Sequence, residues 1–193
     1  MWQIILYITP LTVTFGMILC LLACMCGVKL QQKADEGVGN GSRVFLIFFL
    51  GIVLIATLTP TQAIGSGDST IWLIPGQGIL FDHSAMEDME RSMYIRQQVA
   101  NAAMFLPAAI SFRFSFPTVS FPAAVLTAGM LSCAIEFMQW LMRAGRVVDI
   151  DDVLVNVAGA FVGILLHALS KRLVLNQKDS VGVRSRHRRG APR

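Results

Sequence analysis

Between Gly129 and Gly163 the chain carries two sets of polar or small residues at helical spacing. Gly129, Ser132, Glu136, Gln139 and Arg143 follow one another at gaps of 3, 4, 3 and 4, and Asp149, Asp152, Asn156, Gly159 and Gly163 repeat those gaps. Each set occupies one stripe of a helix. Only the short connection from Ala144 to Val148 separates them, so an antiparallel hairpin turns the stripes toward each other. The chemistry on offer is recognition of a polar group. Glu136, Asp149 and Asp152 accept hydrogen bonds, Arg143 and Arg146 bind anions, and Gln139 and Asn156 do both jobs as amides. Counting back from the connection places Arg143 level with Asp149, Gln139 near Asp152 and Glu136 near Asn156, with Glu136 roughly 10 Å inside the end of its helix. Gly159 and Gly163 are expected to let the two backbones of the hairpin approach closely.

These residues admit three readings. In the first, the stripes line a cleft that binds a ligand. In the second, Glu136 or Asp152 is a general base in a membrane-embedded enzyme acting on a lipid-linked headgroup. In the third, arginines and aspartates merely clamp the hairpin, as an inert structural subunit would have it. Glu136, Asp149, Asp151 and Asp152 outnumber Arg143 and Arg146 by two formal charges, the wrong sign for a bare phosphate site. No cofactor is expected, the one candidate being a divalent cation that bridges the carboxylates to a phosphorylated ligand. The sequence has no H-E-x-x-H zinc motif, G-x-S-x-G elbow, phosphate-binding loop or dinucleotide fingerprint.

The elements that must position these residues follow from composition. The chain has 193 residues, of which 54% are apolar and only 15% charged, with a mean hydropathy of +0.61. A soluble domain carries about a quarter charged residues, so the excess apolar surface must face lipid. Five apolar runs are visible: Ile4 to Val28, Val44 to Leu58, Val99 to Phe112, Pro117 to Met142 and Val153 to Leu169. The fold expected is an all-α polytopic membrane helix bundle of about five transmembrane helices. The first run lacks the basic flank of a cleaved signal peptide and reads as a retained helix. Cys20, Cys24, Cys26 and Cys133 all lie in apolar runs and read as small core residues.

Charge placement orients the bundle. Twelve of the sixteen Lys and Arg fall between the first and second runs, at Arg113, or after the fifth run, giving those segments a net +9; the other side, excluding Glu136, sums to −4. The N-terminus is therefore expected outside and the C-terminus in the cytoplasm. Residues 1–43 form the first helix and a cytoplasmic loop, 44–170 the membrane domain with an external segment at 60–98, and 171–193 a basic tail expected to be disordered. That tail is drawn to anionic lipid. Lacking aromatic interleaving, it gives no reason to expect nucleic acid as a partner. Within the external segment, Asp82 to Gln98 reads as an amphipathic helix with Met86, Met89 and Met93 on one face. His83 and Glu87 sit one turn apart there and read as a solvated pair.

The hairpin resembles the VanZ-like family of small bacterial membrane proteins, named after an accessory protein linked to teicoplanin resistance. The resemblance rests on Glu136-Phe137-Met138-Gln139, Arg146, Asp149-Ile150-Asp151-Asp152 and Asn156-Val157-Ala158-Gly159 followed by Gly163. A second element is Asn101-Ala102-Ala103-Met104-Phe105-Leu106-Pro107; Ala108 stands where the family commonly has glycine. Weaker echoes are Thr57-Leu58-Thr59-Pro60 and Leu73-Ile74-Pro75. The resemblance covers roughly Val44 to Leu169. It adds Asn101 to the candidate ligand-binding set of Glu136, Gln139, Arg143, Arg146, Asp149, Asp152 and Asn156. It implies a multi-pass protein of the bacterial plasma membrane that modulates glycopeptide susceptibility. The partners implied are a membrane lipid, a lipid-linked cell-wall precursor or a lipoglycopeptide.

Overall fold

The computed structural model describes residues 9–33, 37–60, 62–68, 70–77, 88–145 and 147–189. Five helices carry most of them: α1 (Pro10–Lys33), α2 (Gly37–Leu58), α3 (Asp88–Ser115), α4 (Phe121–Met142) and α5 (Ile150–Arg189). The protein is an all-α membrane bundle. Four helices are long and apolar enough to cross a membrane, over Pro10–Gln31, Asn40–Leu58, Phe121–Met142 and Ile150–Asn176.

The helix that falls short of that criterion, α3, is the most enclosed. Phe105, Leu106, Ala108, Ala109, Ser111, Phe114 and Ser115 are all buried, and α3 packs against α5, α2 and α4. A helix surrounded by protein needs small and polar residues for contact, whereas α2 shows lipid Phe45, Ile47, Phe48 and Ile55. Low hydropathy in α3 thus marks a central position. One core joins Val53, Phe105, Ala109, Ala124, Ile135, Ala160 and Ile164 from α2, α3, α4 and α5. A second joins Cys24 and Val28 of α1 to Phe114 and Val174 at the other end of the bundle.

The α3–α5 contact is set by glycine. A methyl group at Gly159 would overlap the carbonyl oxygen of Ala102, and one at Gly163 would overlap that of Leu106. Two glycines one turn apart therefore receive two α3 carbonyls one turn apart, a small-residue approach of the kind membrane helices use. The partner of these glycines is α3, not the other arm of the hairpin.

Three further expectations are corrected. The amphipathic stretch from Asp82 is not a separate helix: its described part, from Asp88, runs unbroken into Val99 and beyond, because no glycine or proline intervenes before Pro107. Met86, His83 and Glu87 lie outside the described residues. The basic tail is not wholly irregular, since α5 continues to Arg189. Extending a helix already nucleated by an apolar span costs far less than starting one. Finally, the α4–α5 connection and the segment between α2 and α3 contain strands. β1 (Thr70–Trp72) pairs in parallel with β2 (Val147–Asp149), Thr70 opposite Val147 and Trp72 opposite Asp149.

Replacing Gly159 with Ala is expected to lower the thermal midpoint in detergent, with a loss of about 1–3 kcal/mol typical of overpacking. Gly129→Ala is the control: its new methyl meets Val157 Cγ2 at an ordinary 3.5 Å, and alanine's better helix propensity leaves the midpoint unchanged or raised. Thermal unfolding of the two variants side by side measures the contrast.

Candidate functional site

The acidic end of the hairpin is built from the start of α5 outward. Asp149 ends β2 and is the residue before the helix; its Oδ1 accepts the Asp151 amide at 2.9 Å, the bond an N-cap makes to the first turn. Asp151 and Asp152 follow in that first turn, where unpaired backbone N–H groups favour negative charge. Backbone geometry thus accounts for three clustered carboxylates before any ligand is invoked.

Each carboxylate is then taken up by a different element. Gly76, in the segment between α2 and α3, donates its N–H to both oxygens of Asp151 at 3.0 and 2.9 Å. Tyr94 of α3 donates its hydroxyl to Asp149 Oδ2 at 2.9 Å, with Asp151 Oδ2 at 3.2 Å. Burial first, then the bond to Asp149 and the charges of both aspartates, push the Tyr94 phenol far above its ordinary pKa, so it stays a donor across the physiological range. Asn101 donates from Nδ2 to Asp152 Oδ1 at 2.9 Å, and the Gln98 amide lies beside the same carboxylate. Tyr94, Gln98 and Asn101 share one face of α3 at gaps of 4 and 3.

Deeper in the hairpin, Glu136 is 6% exposed and accepts the Asp149 amide at Oε2, 3.3 Å away. Asn156 donates from Nδ2 to Ser132 Oγ at 2.9 Å. Gln139 turns away from α5 and donates to the Thr57 carbonyl of α2 at 3.0 Å. Equal counting from the connection misplaces these pairs: Glu136 meets Asp149, seven residues or about two turns before Asn156, and Gln139 meets α2 rather than Asp152. The reason is local. Chain leaves α4 through Arg143, whose φ of 44° is left-handed, passes Gly145, and returns as strand β2, so α5 starts deeper than a tight helical turn would allow.

The candidate residues divide accordingly. Asn101, Glu136, Asp149, Asp152 and Asn156 are brought into one polar layer; Gln139 borders it. The side chain of Arg143 is exposed, and this residue serves as the α4 C-cap, its N–H donating to the Trp140 carbonyl. Arg146 lies outside the described residues. Sequence reasoning missed Tyr94, Gln98 and Gly76. The first two were detectable, since they continue the Asn101 stripe at helical spacing; Gly76 was not, because a backbone N–H leaves no mark in the sequence.

The layer keeps unused capacity. Gln98 Oε1 and Asn156 Oδ1 are buried and make no hydrogen bond among the described residues, a cost of about 1–3 kcal/mol for each such group unless something is recognised there, while the Gln98 amide nitrogen faces the Asp152 carboxylate. No group of three or more His, Cys, Asp or Glu side chains among the described residues is arranged to hold a metal ion.

The strap formed by residues 62–68 and 70–77 is held to the bundle by these bonds among the described residues. Beyond β1–β2 pairing and Gly76, the Gly65 amide donates to the Met142 carbonyl and the Gly67 amide to that of Arg143, both at 3.0 Å. Asp151→Ala removes both acceptors of the Gly76 N–H. Hydrogen exchange across Thr70–Trp72 should accelerate in this variant while the amides of α2 and α4 keep their protection; mass-spectrometric exchange on the purified protein reads both.

A family model described as VanZ/LLP1 matches residues 15–171. A curated relative, Protein VanZ from Enterococcus faecium, is 30% identical over 83 residues, which is 43% of this chain and 50% of that protein; the alignment thus spans about half the relative's length. No solved structure matches. The family match takes in well over half of the sequence, from the first helix through the apolar span of the last, and the chain belongs to the VanZ/LLP1 family.

Proposed function

We propose that this protein is a multi-pass component of a bacterial plasma membrane whose polar layer recognises the headgroup of a cell-envelope lipid and thereby alters susceptibility to teicoplanin-type glycopeptides. The observation that carries the reading is the buried polar layer itself. A helix-end clamp requires Asp149 and its neighbours, but it does not require Glu136, Asn156 and Gln98 to continue the polarity inward, nor does it account for the orphaned amide oxygens. Buried hydrogen-bonding groups without partners are a ligand-sized incentive in a medium that offers no water. Family membership and the resemblance to a teicoplanin-linked protein supply the drug class.

The orientation proposed puts the layer outside. The ends of α2 and α4, the starts of α3 and α5 and the strap all lie on the acidic side of the charge distribution, while Lys29, Arg43, Arg113, Lys171 and Arg172 lie on the basic side, the arrangement that the positive-inside rule assigns to the cytoplasm.

Glu136→Gln and Asp152→Asn, each matched to wild type in membrane abundance, are expected to erase any change in teicoplanin susceptibility that the protein confers on a sensitive host. Susceptibility identical to wild type in both variants would remove the case for a site. Fusions at the C-terminus report orientation: green fluorescent protein should fluoresce there and alkaline phosphatase should be inactive.

A further inference from the structure

The strap is bonded to the bundle at two different depths. Its first part is held at the end of α4, where the Gly65 and Gly67 amides donate to the Met142 and Arg143 carbonyls and a methyl on Gly67 would overlap the Gly145 backbone. From there it descends. Trp72 stands opposite Asp149 in the β1–β2 ladder, and the Asp149 amide reaches Glu136, which lies six residues, about 9 Å, inside the end of the Phe121–Met142 span. The Gly76 amide is bound by Asp151, inside the Ile150–Asn176 span. The stretch from Trp72 to Gly76 thus lies level with two membrane-spanning helices.

What the strap shows at that depth is apolar. Leu73 is 70% exposed and Ile74 55%, and Ile71 is exposed before them. Ile71 and Leu73 share one face of the strand, while Trp72, on the other, is half-buried. The only charge from Gln62 to Gln77 is Asp68, which precedes the descent. α4, to which the strap is bonded, shows lipid the same kind of surface over the same depth, with Phe137, Trp140 and Leu141 exposed. Tryptophans such as Trp72 and Trp140 collect where hydrocarbon meets headgroups.

We infer that the strap is a re-entrant lip whose Ile71, Leu73 and Ile74 insert among lipids at the boundary between headgroups and acyl chains. The backbone sets the limit of insertion. Among the described residues β1 has β2 as its one neighbouring strand, so its other edge needs water that the hydrocarbon interior lacks. Elements lying at the boundary bury an apolar face by about 5–10 Å and keep their polar groups wet. This contact is independent of whatever the polar layer binds.

The test places a single tryptophan on the lip of the full chain in phosphatidylcholine nanodiscs: Leu73→Trp, and separately Ile74→Trp, each combined with Trp2→Phe, Trp72→Phe and Trp140→Phe. Both reporters should emit to the blue of free tryptophan and resist acrylamide dissolved in the buffer. They should lose more than half of their emission to phosphatidylcholine brominated near the headgroup end of its chains, and less to chains brominated at the far end. Quenching by acrylamide with no loss to brominated lipid overturns the inference and puts the lip in water. Stronger loss to the far-end bromines overturns the boundary position. Resistance of both reporters to every quencher also overturns it, since the patch is then covered by protein, either a second copy or the residues after Gln77.

Discussion

The approach of α3 to α5, in which two carbonyls of one helix occupy the space that side chains at Gly159 and Gly163 would fill, governs the rest of the molecule. At that distance the first half of α3 has no choice about what it faces: Tyr94, Gln98 and Asn101 lie against the first turn of α5. The aspartates are there because a helix start tolerates negative charge, and the α3 face supplies the donors that make their burial affordable. A larger residue at either glycine would push against the Ala102 or Leu106 carbonyl and strain the interface that holds the donors of α3 against α5. Dispersion contact at the glycines and hydrogen bonding at the acidic end are thus two ends of one interface.

The same interface explains why the segment between α2 and α3 is tied down. Parallel pairing of Thr70–Trp72 with Val147–Asp149 and the Gly76 amide on Asp151 lay a strap over the start of α5. These are backbone bonds to a connection only seven residues long, from Arg143 to Asp149. They hold Asp149 where it can both cap α5 and offer its own amide to Glu136. Among the described residues the polar layer is thus bordered by strap backbone at the start of α5 and by side chains of α3 and α4. Its buried oxygens without a hydrogen bond among those residues are Gln98 Oε1 and Asn156 Oδ1.

α1 stands apart from this arrangement. It shares a core with Phe114 and Val174 at the basic end and exposes Leu11, Phe15 and Ile18 elsewhere. The family match starts at residue 15, so the start of α1 precedes the matched region.

The sequence by itself determined the solvent, the helices and the polar stripes. Apolar runs long enough for a bilayer, and gaps of 3 and 4 among Glu136, Gln139, Asp149, Asp152 and Asn156, are periodic signals, and periodicity survives in one dimension. Even Asn101 was legible through its motif, and Tyr94 and Gln98 were legible in principle on the same face. Register was not. Which residues of two antiparallel helices lie level depends on the path between them, and a left-handed turn at Arg143 followed by a strand moved Glu136 from Asn156 to Asp149 and turned Gln139 toward Thr57. The partner of Gly159 and Gly163 and the strap were likewise decided only in three dimensions. Each depends on backbone groups, or on the angle between whole helices, and neither a carbonyl, an amide nor a crossing angle is written in the identity of any residue.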